Sequence, residues 1–211
     1  MLTLRDVTVR LGGHLVLDRA YASLPTRARV GLVGRNGSGK STLLKTVAGS
    51  IHADAGSIEV PRATRLGYVA QDTPSGSATP FETVLAADTE RTRLLAEAES
   101  ESDSVRQGEI HERLAAIQAH AAPARAGRIL SGMGFDADMQ QRPLDSLSGG
   151  WRTRVALAAV LFAEPELLLL DEPSNHLDLE ATLWLEAHLA KYRGTLLLVS
   201  HERDLLNNVV D

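Results

Sequence analysis

The chain of 211 residues is 44% hydrophobic, which is sufficient for one domain with a substantial core that can divide into two lobes. It has no cysteine, which excludes disulfides and a cysteine-based zinc site, and its net charge of -5 with 4% aromatic residues argues against a nucleic-acid-binding module on its own. Because no apolar run reaches the roughly 18 residues that span a bilayer, and residues 1–10 lack the apolar core of a secretory signal, we expect a soluble, cytoplasmic protein without membrane insertion.

The first part of the chain contains short strand patterns and one helix pattern. LTLRDVTV (2–9) alternates apolar and polar residues, and RVGLVG (29–34) is short, apolar and ends in glycine, so both predict strands. STLLKTVAG (41–49) predicts a helix that ends at a glycine. GSIEV (56–60) and RLGYVAQ (65–71) predict two further strands, followed by a loop rich in Ser, Pro and Gly.

A helical segment follows, and the strand pattern then resumes. Residues 81–132 are rich in Ala, Leu, Glu and Arg with helical spacing, which Pro123 breaks once. PELLLLDEP (165–173) and GTLLLVSH (194–201) are near-continuous aliphatic strands, separated by the helical pattern of residues 179–192. Such strands alternating with helices predict a parallel sheet that is covered on both faces.

These patterns predict an α/β core with a helical insertion. We expect residues 1–80 and 147–211 to form the core and residues 81–146 to form a helical subdomain. Between Asp88 and Arg113 there are eight acidic residues and four arginines. This balance favours a solvated helical face over an RNA-contacting arm, because an acidic segment repels phosphates.

The strongest chemical signal is GRNGSGKST, which matches G-x-x-x-x-G-K-[ST] after a predicted strand and at the start of a predicted helix. In such a loop the backbone N–H groups surround the β-phosphate of a nucleotide, Lys40 reaches the β- and γ-phosphates, and Ser41 holds Mg²⁺. A glycine turn without a ligand is the alternative, and the strand-loop-helix context favours phosphate binding. The predicted nucleotide-binding residues are Gly34, Arg35, Asn36, Gly37, Ser38, Gly39, Lys40, Ser41 and Thr42.

The second signal is LLLLDE (167–172), a buried strand that ends in two carboxylates. The strand end places Asp171 and Glu172 at the carboxyl edge of the sheet, where open α/β sheets bind ligands. Asp171 can hold Mg²⁺ through water, and Glu172 can polarise the attacking water. The alternative is that both carboxylates face a helix dipole; the presence of the phosphate-binding loop favours the catalytic interpretation.

A third segment, LSGGW (147–151), has paired glycines after a serine, which allow the backbone to approach an anion closely. No lysine follows to share the charge, so the residues alone do not say which phosphate this loop contacts.

The ordered motifs resemble those of the ATP-binding cassette (ABC) ATPases over essentially the whole chain. GRNGSGKST, YVAQD, LSGGW, LLLLDEP, SNHLD and LLLVSH match the Walker A, Q-loop, signature, Walker B, D-loop and switch-histidine motifs in order. The resemblance implies ATP and Mg²⁺ as ligands, and a P-loop NTPase cassette with a RecA-like α/β core, an antiparallel β portion and a helical subdomain. It also implies that Gln71 contacts Mg²⁺ and the attacking water, that Asp178 belongs to the D-loop, and that His201 contacts the γ-phosphate.

The resemblance also gives LSGGW a ligand. In ABC ATPases two cassettes pack head to tail, and the signature loop of each closes over the ATP bound to the other. Ser148, Gly149 and Gly150 would therefore contact the ATP of a second cassette, whose own Lys40 supplies the missing lysine. We expect hydrolysis to need two cassettes, because phosphoryl transfer depends on positioning and charge stabilisation from both sides.

Within the family, the chain resembles the ABC-F proteins. DEPSNHLD differs from the transporter-type DEPTSALD, SHERDLL resembles the ABC-F switch region, and Trp151 replaces the glutamine usual in transporters. ABC-F proteins are soluble, have two cassettes in one chain, and in many cases act on the ribosome. The resemblance implies the N-terminal cassette of such a protein, present as a fragment, with the ribosome as partner of the full-length protein. A nucleotide-binding subunit of a membrane transporter and a nucleotide-gated scaffold are the alternatives.

Two positions depart from the family pattern. Leu11 falls where many cassettes have an aromatic residue that stacks on adenine, so it offers only apolar contact. Ser174 replaces the more usual threonine, a small change. Trp184, outside the motifs, is expected to pack in the core.

Overall fold

The computed structural model describes residues 2–69 and 73–211 and divides into two compact units. Unit 1 comprises residues 1–69 and 164–211, and unit 2 comprises residues 70–163. Unit 1 contains every strand of the described chain, whereas unit 2 is helical. None of the helices in the two described ranges is long and apolar enough to cross a membrane.

Unit 1 contains two sheets. The antiparallel sheet has the order β2-β1-β4, and the parallel sheet has the order β3-β7-β6-β5. The strands are β1 (Leu2–Leu11), β2 (His14–Leu24), β3 (Arg29–Leu32), β4 (Ala55–Glu59), β5 (Leu66–Tyr68), β6 (Leu167–Asp171) and β7 (Thr195–Val199). The helices of this unit are α1 (Lys40–Val47), α7 (Leu179–Leu189) and α8 (Arg203–Val209). The predicted parallel sheet is therefore confirmed.

The aliphatic strands form the core of unit 1. Every residue of β7, and the four leucines of β6, are buried, as expected for central strands of a covered parallel sheet. One cluster of this core contains Leu167 and Leu169 of β6 and Leu197 and Val199 of β7, together with apolar residues of β1 and of α1. The antiparallel sheet and the parallel sheet thus share one hydrophobic core.

Strand β2 was not anticipated from the sequence. It pairs with β1 through a tight turn in which Leu11 faces His14, and the two turn residues are Gly12 and Gly13 with φ of 57° and 82°. A two-residue hairpin turn of type I′ requires positive φ at both central residues, which glycine adopts without strain. The Gly-Gly pair is the sequence signal that predicts this hairpin.

Over residues 73–163, unit 2 contains five α-helices with short 3-10 segments. The helices are α2 (Pro80–Ala86), α3 (Thr89–Ser100), α4 (Ser104–Ala116), α5 (Ala122–Gly132) and α6 (Gly149–Phe162). Helix α2 begins with a capping box, in which Thr79 Oγ1 accepts from the Glu82 N–H at 3.1 Å and Glu82 accepts from the Thr79 N–H at 2.8 Å. The side chains of Asp88 and Asp103 accept hydrogen bonds from the first N–H groups of α3 and α4, without the reciprocal bond of a capping box.

The boundaries of unit 2 differ from the expected ones. The sequence places residues 73–80 and 147–163 in the core, but both segments group with the helical unit, in which α6 packs against α2 and α5. Packing decides this grouping. The position of α6 in the sequence, just before β6, does not reveal which helices α6 packs against.

The acidic excess of α3 and α4 is partly paired. Arg106 contacts Glu97 at 2.6 Å and Glu109 at 2.8 Å, and Arg113 contacts Glu90 at 2.6 Å. These hydrogen-bonded contacts raise the pKa of both arginines. The pairs lie at the surface, so they contribute little to stability.

Candidate nucleotide-binding site

The loop between β3 and α1 has the backbone that a phosphate-binding loop requires. Gly37 and Gly39 have φ of 79° and 90°, a region that residues with a Cβ rarely adopt. Gly39 is the N-cap of α1 and, in the described chain, no side chain caps this helix end. The first N–H groups of α1 therefore point out of the helix without a side-chain acceptor, as in anion-binding helix N-termini.

Strand β2 lies directly beneath this loop. A Cβ added at Gly39 would lie 3.2 Å from Val16 O and 3.1 Å from Leu17 Cδ2. The approach is tighter than most side chains tolerate, so glycine lets the loop rest on β2. Strand β2, which the sequence does not predict, thus supports the segment that is predicted to bind nucleotide.

Lys40 folds back over its own loop. Its Nζ donates to the carbonyl oxygens of Gly34 at 2.8 Å and Arg35 at 3.1 Å. Ser41 is exposed in the same first turn of α1. An ammonium group has three donor hydrogens, so one remains when these two bonds are made.

Glu172 follows the end of β6 in an unusual conformation. Its φ is 47°, and its N–H donates to Val199 O at 2.9 Å, which continues the pairing of β6 with β7. A left-handed conformation of a residue other than glycine costs about 1–3 kcal/mol and is concentrated at functional sites. Within the described residues, Oε1 of Glu172 is buried without a hydrogen-bond partner.

His201 links Glu172 to the phosphate-binding loop. The His201 N–H donates to Glu172 Oε2 at 3.3 Å, and His201 Nε2 lies 3.3 Å from Glu172 Oε1 and 2.9 Å from Asn36 Oδ1. The contact to Oε1 is close enough for an ion pair when the imidazole is protonated, but its geometry is not that of a hydrogen bond. The structure therefore brings three predicted site residues together from the ends of β3, β6 and β7.

Asp171 is the last residue of β6, the strand next to β5 in the parallel sheet. Tyr68 of β5 has a raised pKa, first because it is buried and second because the negative charge of Asp171 opposes ionisation. Carboxylate and hydroxyl oxygens are ligands that Mg²⁺ prefers, so the chemistry of Asp171 and Ser41 fits this ion. Gln71, the third predicted metal ligand, lies outside the described residues.

The remaining motif residues have local structural positions. Asp178 is the N-cap of α7 and accepts from the Ala181 N–H at 2.9 Å. Ser174 is buried, and its hydroxyl has no hydrogen-bond partner among the described residues. Ser148 is the N-cap of α6, and Gly149 and Gly150 are the first two residues of that helix in unit 2. Leu11 is 41% exposed at the end of β1.

Comparison with known proteins identifies the family of the chain. The model of the ABC transporter family matches residues 17–175, which include the phosphate-binding loop, LSGGW and the Asp171–Glu172 pair. The chain belongs to the ABC transporter family. This ABC cassette is also similar to relatives of the F subfamily over nearly its whole length, which confirms the resemblance seen in its motifs.

The ABC cassette is 42% identical over 214 residues to the "Probable ATP-binding protein YheS" of Escherichia coli (strain K12), covering 100% of this chain and 34% of that protein. It is 41% identical over 230 residues to "ABC transporter F family member 3" of Arabidopsis thaliana, covering 97% and 32%. It is 42% identical over 218 residues to "ATP-binding cassette sub-family F member 3" of Mus musculus, covering 98% and 30%. The chain thus spans about a third of the length of these curated relatives.

Solved structures confirm the cassette fold. The ATP-binding subunit of an ABC transporter superposes with a TM-score of 0.71 at 20% identity, covering 100% of this chain and 83% of that one. A dimeric bacterial ABC transporter cassette superposes with a TM-score of 0.70 at 20% identity, covering 99% and 91%. At this level of identity the similarity concerns the fold alone.

The sequence did not indicate two features of the site. The contact between His201 and Asn36 joins residues 165 positions apart, and no local pattern encodes it. The left-handed conformation of Glu172 is likewise not predicted by the sequence, because glutamate has no preference for positive φ.

Proposed function

We propose that this cassette binds ATP with Mg²⁺ and hydrolyses it together with a second cassette. The observation that carries the proposal is the convergence of Asn36, Glu172 and His201 at the carboxyl ends of three neighbouring parallel strands. Ligands of open α/β sheets bind at this edge. Transfer of a phosphoryl group to water requires groups that hold the phosphates and orient the water. A phosphate-binding loop, a carboxylate and a histidine at one edge can serve these purposes.

Residues 34–42 would hold the phosphates of ATP. The free N–H groups at the start of α1 support this role, and Lys40 would exchange its bonds to the Gly34 and Arg35 carbonyls for phosphate oxygens. Ser41 and Asp171, with Gln71, would hold Mg²⁺, which when bound neutralises charge on the phosphates. Leu11 offers apolar contact to the base, because it is partly exposed and has no ring for stacking.

Glu172 would act as the base that orients and polarises the attacking water. Its Oε1 is buried and has no hydrogen-bond partner within the described chain, so it retains acceptor capacity for a water proton. His201 would hold Glu172 through its backbone N–H and direct its imidazole to the γ-phosphate. The contact of Nε2 with Asn36 supports this role, because it holds the ring over the phosphate-binding loop.

Ser148, Gly149 and Gly150 would complete the site of a second cassette. They begin a 14-residue helix that lacks a side-chain cap among the residues described, which suits contact with an anion from another molecule. Linked cassettes have an effective concentration of about millimolar. Separate chains must instead associate at the concentration used.

For a protein of the relatives' length that contains this cassette, we propose that ATP-driven closure of its cassettes is coupled to the ribosome. The similarity to F-subfamily relatives over nearly the whole chain supports this assignment. The full-length Glu172→Gln protein should co-sediment with ribosomes in ATP and not in ADP. Equal co-sedimentation in both nucleotides, or co-purification with a membrane-spanning subunit instead, would contradict it.

The ATPase proposal is tested by nucleotide binding and hydrolysis at increasing protein concentration. We expect turnover per chain to rise with concentration, because each site needs residues from a second chain. Lys40→Ala should weaken nucleotide binding and abolish hydrolysis, whereas Lys191→Ala, at an exposed lysine after α7, should change neither. Turnover independent of concentration would contradict the need for a second cassette, and full activity of Lys40→Ala would contradict the site.

A further inference from the structure

The first turn of α6 has little to hold it in place by itself. It begins with Gly149 and Gly150, and glycine is a poor helix former. Ser148 occupies the N-cap, but in the described residues its side chain makes no capping hydrogen bond. Apart from its two chain neighbours and the nearby backbone of α6, a Cβ added at either glycine would meet no described heavy atom within 4 Å. The position of this turn must therefore be set by other residues.

Trp151, the third residue of α6, is contacted on two sides. The Phe135 ring lies against it at a centroid distance of 4.8 Å and an interplanar angle of 70°, an edge-to-face contact. The guanidinium carbon of Arg154 lies over the indole, 4.4 Å from the ring centroid. Edge-to-face and cation–π contacts each favour one placement of the ring, so together they restrict the backbone at residue 151.

Both partners of Trp151 are anchored to the segment after α5. Phe135 is fully buried, and its N–H donates to Leu130 O at 3.0 Å. Arg154 is 9% exposed, and its Nη1 donates to Met133 O at 3.0 Å. A buried guanidinium is strongly held by such bonds, because an unpaired charge in the interior is costly. The start of α6 is thereby connected to residues 133–135 through one indole ring.

We propose that Trp151 is a positioning residue for the signature segment: its clamp between Phe135 and Arg154 fixes the backbone of Ser148–Gly150 for contact with the ATP of a second cassette. This inference rests on the proposed function, because it assigns a task to the segment that contacts ATP in trans. The two ring contacts restrict the backbone of the signature segment, which Gly149 and Gly150 would otherwise leave flexible. Glycines permit close approach to phosphate, and the aromatic contact keeps their N–H groups in one orientation.

The test uses the 211-residue chain carrying Glu172→Gln. Because this variant should not hydrolyse ATP, we expect pairs of associated chains to accumulate when ATP is present. Three quantities are measured: association in ATP and Mg²⁺ by sedimentation velocity, binding of a fluorescent ATP analogue by the single chain, and the thermal unfolding midpoint. Trp151→Leu removes both ring contacts, and Trp151→Phe keeps an aromatic ring. Trp184→Leu, on α7 in unit 1, is the matched control because it truncates the other tryptophan of the chain.

We expect Trp151→Leu to weaken ATP-dependent association by about tenfold, the combined effect of one aromatic pair and one cation–π contact. Nucleotide binding by the single chain should not change, and Trp151→Phe should restore most of the association. Trp184→Leu should leave association unchanged. If Trp151→Leu does not fold, Arg154→Lys serves as the second variant, since it keeps the charge but loses the planar group over the indole.

Two results would overturn the inference alone: association of the folded Trp151→Leu or Arg154→Lys chain equal to that of its parent, or an equal loss in Trp184→Leu. Failure of the Glu172→Gln parent itself to associate in ATP would overturn the proposed pairing of cassettes, and the role of Trp151 with it. The parent measurement therefore separates failure of the function from failure of the positioning role.

Discussion

Glu172 and His201 contact each other through both backbone and side chain. The His201 N–H donates to Glu172 Oε2 at 3.3 Å, while His201 Nε2 lies 3.3 Å from the other carboxylate oxygen. The two residues follow β6 and β7, which are neighbours in the parallel sheet. A carboxylate and a histidine are thus held together by strand pairing and need no flexible loop to bring them into contact.

Substitution of Glu172 by glutamine should separate ATP binding from hydrolysis. Because the amide cannot accept a proton from water, we expect turnover to fall by about 10²- to 10⁴-fold, the usual contribution of a general base. ATP binding and ATP-dependent association should persist. Steady-state phosphate release and sedimentation measure the two effects. Glu59→Gln, at an exposed glutamate of β4, is the control and should retain full turnover.

Loss of the His201 imidazole should lower turnover more than nucleotide affinity. The ring contacts Asn36 and lies beside Glu172, so its removal takes away the group that we propose stabilises charge on the transferred phosphate. We expect His201→Ala to reduce turnover by about 10²-fold, the effect of removing one electrostatic donor. His111→Ala, at an exposed position of α4, provides the comparison. Turnover equal in the two variants would refute a direct role for His201.

Two glycines with similar backbone conformations should differ in their tolerance of alanine. Gly56 has φ of 87°, and an added Cβ would lie 2.4 Å from the carbonyl oxygens of Arg5 and Asp6 in β1. Gly49 has φ of 76°, and no described atom lies within 4 Å of its added Cβ. We expect Gly49→Ala to reduce the free energy of unfolding by about 1 kcal/mol through strain alone. Gly56→Ala should reduce it by about 3 kcal/mol, because the clash adds to the strain. Urea unfolding measures both, and equal losses would show that β1 moves away from Gly56 at little cost.

His188 should make the cassette less stable in mild acid. Its ring stacks on Trp184 with a centroid distance of 4.9 Å, and burial lowers its pKa below the usual 6.5, with Glu164 opposing the shift and Lys191 adding to it. The unfolded chain therefore binds a proton more readily than the folded chain. The contribution of His188 to stability is fully present above pH 6.5 and is lost as the pH falls from there toward the lowered pKa of the folded state.

The measurement is the free energy of unfolding at pH 7.5 and 5.5. His188→Phe keeps a ring for stacking but cannot titrate, so its stability should fall less over this interval than that of the unmodified chain. His52→Phe, at an exposed position, should fall as much as the unmodified chain. A loss in His188→Phe as large as in the unmodified chain would mean that other groups cause the acid sensitivity.

The elements differ in how far the sequence predicts them. The leucine runs of β6 and β7 are long enough and apolar enough to indicate buried parallel strands, and both are found. Strand β2 escaped prediction because its residues are mostly exposed or half-buried and lack regular alternation, so only its Gly-Gly turn marks it. The sequence also did not predict that α6 groups with the helical unit, because this grouping depends on which helices pack together.

The sequence by itself determined the family and located the candidate phosphate-binding loop and the carboxylates after β6, because these depend on residue types at short, fixed spacings. Tertiary structure decided the rest. Strand pairing placed His201 between Asn36 and Glu172, and side-chain packing tied Trp151 to residues 133–135. These contacts join residues that are distant in the chain or separated by a turn. Their distances follow from how strands and helices pack, and local spacing carries no information about that packing.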